Sequence, residues 1–75
     1  MISLEKRTQI LNKMKDAIEE KIVGADLAIR NLNRLLIIKK DMAGIANQLS
    51  KIKNQKEAWE GALLTIEDEI KDCES

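Results

Sequence analysis

Residues 45–73 read IANQLSKIKNQKEAWEGALLTIEDEIKDC. Ile45, Leu49, Ile52, Trp59, Leu63, Ile66, Ile70 and Cys73 follow steps of four and three, and only Lys56 interrupts the rhythm. Such a repeat holds apolar side chains on one stripe of a helix and marks a seam that faces another helix. The stretch therefore specifies an all-α chain built by helix association.

Working toward the N-terminus, a matching stripe runs through Leu4, Leu11, Met14, Ile18, Ile22, Ala25, Ile29, Leu32 and Leu36, with Ala28 and Leu35 widening it. Ser3 suits an N-cap, and Glu5 falls in the first turn, where the helix dipole is positive. Lys39 and Lys40 suit the negative C-terminal end. Asp41-Met42-Ala43-Gly44 then offers a second N-cap at Asp41 and a residue at Gly44 that can take a left-handed turn conformation at little cost. These signals predict one helical domain over residues 1–75: a helix over about 3–40, a turn over about 40–44 and a helix over about 44–73.

Two other arrangements compete. A break at Gly24, with Asp26 as the next N-cap, would give three helices, at 3–22, 26–40 and 44–73. The stripe passes Gly24 without a phase jump, however, and one Gly inside a helix costs only about 1 kcal/mol. A single unbroken helix in a parallel coiled coil is disfavoured by Asp41 and Gly44 near the midpoint. Two long helices joined by a short turn lie antiparallel, so a coiled-coil-like helical hairpin is the expected fold. With the turn centred near residue 42, facing residue numbers should sum to about 84. Leu11 would meet Cys73, Met14 would meet Ile70, Ile18 would meet Ile66, and Leu32 would meet Ile52. Ala25 would meet Trp59, a small residue opposite the largest one, with Gly24 and Gly61 one step away.

Composition bounds the chemistry. Seventy-five residues build a core worth only about 3–5 kcal/mol, so chains of this size often oligomerise. There is no His and one Cys, which removes disulfides and the usual zinc sites. Trp59 is the single aromatic residue, too little for a base-stacking platform. No set of residues matches a catalytic constellation or a phosphate-cradling Gly loop, so no enzymatic activity and no cofactor are expected. No apolar run approaches a membrane span, the first residues lack the apolar core of a signal peptide, and a lone thiol suits a reducing compartment. A cytoplasmic protein is expected.

Charge is balanced overall, 13 basic against 13 acidic residues, but not locally. Residues 1–40 carry nine Lys/Arg and five Asp/Glu, and residues 41–75 carry four and eight. In a hairpin the acids of residues 57–75 lie beside Lys6, Arg7, Lys13, Lys15 and Lys21, which selects register more than it stabilises.

Val23, Leu27, Ile37, Ile38 and Leu64 fall off the main seam, and the first helix carries an apolar arc wider than one partner needs. Two hairpins could cover this surface as a homodimeric four-helix bundle. Leu27, Ile37, Ile38 and Leu64 are the candidate contacts for a larger, unidentified protein, with the chain as adaptor, assembly factor or inhibitor. Small accessory proteins of phages and bacteria share this look, by analogy of fold alone. The alternative is a nucleic-acid-binding accessory protein that uses a basic turn end made of Arg30, Arg34, Lys39, Lys40, Lys51 and Lys53. Zero net charge and the lack of interleaved aromatics weigh against it.

Four further features have plain readings. Lys56 in the seam is either a register device or a side chain that snorkels over Ala28 into water, and the second is favoured. Cys73 has acidic sequence neighbours and no base, so it reads as an inert edge of the core. Glu67-Asp68-Glu69 with Asp72 and Glu74 lacks the Gly turn and ligand alternation of a calcium loop; these acids disfavour the helix end, and fraying over 71–75 is expected. Trp59-Glu60-Gly61 resembles the WxG tripeptide of a family of small secreted helical hairpins. In that family it lies in the turn, whereas here it falls inside the second stripe and Trp59 is assigned to the core.

Overall fold

A computed structural model describes residues 1–38 and 42–74, apart from the side chains of Met42 and Ala43. It contains α1 (Leu4–Ile38) and α2 (Met42–Glu74), packed against each other as a helical hairpin. The longest dimension is 55 Å. That is the length expected of α1, whose 35 residues rise about 1.5 Å each.

Local sequence explains the helix ends. The Lys6 N–H donates to Ser3 Oγ at 3.1 Å, and the Arg7 N–H donates to the Ser3 carbonyl at 2.9 Å. Ser3 is thus the N-cap, followed by Glu5 in the first turn. α1 continues through Gly24 without interruption, which sets aside the three-helix arrangement. α2 begins at Met42, two residues before the expected start, so Gly44 belongs to its first turn. No described Gly has a positive φ, and the left-handed role expected of Gly44 is not used. The cap expected at Asp41 and the basic end expected at Lys39 and Lys40 lie outside the described residues. At the other end α2 stays helical to Glu74 despite its acids, with Lys71 in the last turn.

The seam is narrow. Among the described residues only Leu11, Ala25, Leu32 and Ile66 are buried. The three α1 positions are separated by multiples of seven and share one heptad position with half-buried Ile18. Half-buried Lys15, Ile22, Ile29 and Leu36 occupy the alternate position, four residues further on each time. This phase corrects the placement of Met14, which is 47% exposed. The step from Leu11 to Ile18 runs through Lys15, whose aliphatic stem can follow the seam while its ammonium reaches water.

The register is also offset from the expected one. Arg7 pairs with Glu69, Lys21 lies over Trp59, and Lys56 pairs with Asp26. Every one of these number pairs totals less than 84, as an earlier start for α2 requires. Ala25 remains among the most buried residues, one turn from Lys21, and Trp59 is half-buried.

Two substitutions probe this architecture by thermal unfolding followed by circular dichroism. Leu32→Ala should cost about 2–5 kcal/mol, leaving a core this small largely unfolded. Gly61→Ala should add about 0.5–1 kcal/mol, because the outer face of α2 leaves nothing within 4 Å of a new Cβ.

Candidate interaction surface

The polar contacts between the helices help fix which faces remain outside. Lys56 Nζ donates to Asp26 Oδ1 at 3.0 Å, with the two side chains 28% and 46% exposed. To the snorkelling reading of Lys56 this adds a partner: at the solvent-facing rim its ammonium is held by a carboxylate on the opposite helix. A Lys on the seam cannot bury its charge alone, and Asp26, on the rim of α1, is within reach. The sequence signal was present, since Asp26 lies two positions from the Ala28 expected opposite Lys56.

Near the open end, Arg7 Nη2 donates to Glu69 Oε2 at 3.0 Å. Glu69, through this hydrogen bond and then its charge, raises the already high pKa of the guanidinium, and the nearby Cys73 side chain acts in the same direction. Cys73 thus has a cation beside it that its sequence neighbours did not foretell. Lys21 Nζ sits 6.0 Å from the centroid of the Trp59 ring, at the outer limit of a cation–π contact.

With the seam closed, Leu27, Ile37, Ile38 and Leu64 are all exposed, by 61%, 85%, 75% and 63%. They do not form one patch. Leu27 lies about 15 Å along α1 from Ile37 and Ile38 at the helical rise, and Leu64 belongs to the other helix, toward the open end. Met1, Ile2, Leu4, Ile10, Met14 and Val23 are exposed as well. The apolar surface is therefore carried mainly by α1. Arg30, Arg34, Lys51 and Lys53 are exposed on the turn half of the hairpin, while Lys39 and Lys40 lie outside the described residues.

A shallow groove of about 360 Å³ opens near the free end, lined by Asn12, Lys15, Glu67, Ile70, Lys71 and Glu74. Its charges alternate in sign and it is open to solvent, unlike the enclosed, largely apolar pockets that hold small molecules. Among the described residues no three of His, Cys, Asp and Glu come together as a metal-binding group. No described helix is long and apolar enough to cross a membrane. No family model matches the chain, and no curated protein and no solved structure matches it significantly.

The Asp26–Lys56 bridge predicts a pH dependence. The hydrogen bond from Lys56, and then its charge, hold the Asp26 carboxyl below its ordinary 3.8. The same bond and charge hold the Lys56 ammonium above its ordinary 10.5. The bridge therefore contributes fully between those ordinary values. It is lost as acid passes the depressed value of Asp26, or as base passes the raised value of Lys56. A double-mutant cycle with Asp26→Asn and Lys56→Met should show favourable coupling at neutral pH and none well below 3.8.

Proposed function

We propose that this chain is a small, non-enzymatic protein–protein interaction module of the cytoplasm. Two hairpins associate as a four-helix bundle, and the dimer captures a larger protein as adaptor, assembly factor or inhibitor. One observation carries the reading: the chain exposes a series of large aliphatic side chains on α1 after its own seam is closed. A monomer does not need so wide an apolar arc, and an amphipathic helix presenting one fits a partner groove or a second helix pair. Leu27, Ile37 and Leu64, with Ile38, are the contacts assigned to partners.

Nucleic acid is the second reading, supported by the exposure of Arg30, Arg34, Lys51 and Lys53 on one half of the hairpin. The two differ in salt response. Burial of apolar surface persists in salt, whereas phosphate contacts weaken steeply through counterion release.

Affinity capture from a source lysate at about 50 and 500 mM salt tests the proposal, with the Leu27→Glu/Ile37→Glu variant as control. Capture of one protein at both salt concentrations, lost in the variant, is the expected result. Binding that appears only at low salt and is removed by nuclease would favour the nucleic-acid reading. Light scattering at tens of micromolar should give twice the 8.5 kDa chain mass, and a monomer there would end the dimer proposal.

A further inference from the structure

Once the hairpin fixes the seam, α1 shows a second stripe with the same four-three steps. It opens with Ile10 and Met14, closes with Leu35 and Ile38, and carries Ala17, Gly24 and Ala28 between them. Lys21 and Asn31 are its two polar members. The stripe is the seam shifted by one residue, so at about 100° per residue it lies roughly 100° around α1 from the seam. A helix at the corner of a four-helix bundle meets its two neighbours at roughly a right angle, so a second stripe in this place suits a second neighbour. Ile10, Met14 and Ile38 on it are exposed by 40%, 47% and 75%, whereas Ala28 and Leu35 are half-buried within the hairpin.

The stripe is symmetric about its own centre. Ile10 and Ile38 lie fourteen residues on either side of Gly24, and Ala17 and Asn31 lie seven on either side. Met14 and Leu35 fall almost equally far from it. A two-fold interface uses the same patch on both subunits, so residues equally far from the axis meet each other and must be compatible, a condition this stripe meets. Bulky residues then meet bulky residues at the ends, and the helices cross where Gly24 presents no side chain. A Cβ at Gly24 would meet nothing within 4 Å in the single hairpin, so the glycine is not required by the chain's own packing.

Charge and area agree. The turn half, residues 22–58, holds seven Lys/Arg and three Asp/Glu, and the rest of the chain holds six and ten. An antiparallel pairing sets the basic half of one hairpin beside the acidic half of the other. A compact 8.5 kDa monomer exposes about 4,700 Å² by surface-to-mass scaling, whereas this chain exposes 6007 Å². The surplus, on the order of 1,300 Å² per chain, exceeds the roughly 800 Å² per partner that a standard stable interface buries.

We infer that the occupant of this stripe is a second copy of the chain, with the two α1 helices antiparallel about a two-fold axis at Gly24. This rests on the dimeric reading above and specifies its geometry. Ile10 packs against Ile38 of the partner subunit, and Met14 against Leu35 of the partner subunit. The Lys21–Trp59 and Asp26–Lys56 contacts place Ala58 level with Gly24, so the same axis passes α2 at another small, exposed residue. Leu27 and Ile37 lie outside the stripe and stay available to a third party, whereas Ile38 is given over to self-association.

A disulfide test follows, because a residue on the axis meets only itself. Gly24→Cys and, as an off-stripe control, Asp16→Cys are each made with Cys73→Ser. After mild copper-catalysed oxidation at tens of micromolar, the Gly24→Cys chain should be mostly disulfide-linked dimer and the Asp16→Cys chain mostly not. Met14→Glu/Ile38→Glu should weaken dimerisation at least tenfold by sedimentation equilibrium, with helix content by circular dichroism unchanged. A wild-type monomer would remove the dimeric reading and this inference together. A dimer that cross-links no better at position 24 than at 16, or that tolerates the double Glu variant, would overturn the axis and leave dimerisation standing.

Discussion

Two helices alone can bury only one stripe of each, and the rest of this structure follows from that limit. The hairpin closes the four-three seam of α2 against that of α1, yet only Leu11, Ala25, Leu32 and Ile66 become buried among the described residues. A seam of this width supplies little hydrophobic free energy for a chain that must order two long helices. The wide apolar arc of α1 is the surface from which further stabilisation can come, and it lies on the outside of the hairpin. In the proposed dimer, association covers what folding leaves exposed, which would link stability and function through one surface.

Polar contacts act on register within that frame. Asp26–Lys56 and Arg7–Glu69 join the helices near the middle and at the open end, and each is partly exposed. Pairs of this kind add little stability, but a shift along the seam would leave Lys56 half-buried without its carboxylate. Apolar stripes match in several registers, because Ile and Leu are interchangeable at many steps. A charged residue on the seam matches in one.

Much of the fold was legible because its signals are local. Ser3 caps α1, the stripe crosses Gly24 without a break, and both helices are long. The misplacements came from choices between equally apolar or equally permissive neighbours. Met14 was placed on the seam and is exposed, since Leu-to-Ile steps of seven can be filled through either 14 or 15, and the structure uses Lys15. The start of α2 was placed at Gly44 rather than Met42, because a Gly is as compatible with a first helical turn as with a left-handed one. The four apolar residues singled out for partners are exposed, but their separation along and between the helices was not visible in the sequence.

By itself, the sequence determined the helical class, the pairing of two long stripes and the lack of His side chains and of an intrachain disulfide. Periodicity, capping and composition are properties of neighbours along the chain. Only the tertiary structure decided which residue fills each step of the seam, that Lys56 goes to Asp26, and that Arg7 comes beside Cys73. It also decided that α1 carries a second stripe centred on Gly24, because a stripe counts as second only when the first has been occupied. That occupation depends on the register of one helix against the other, a long-range quantity that no local pattern encodes.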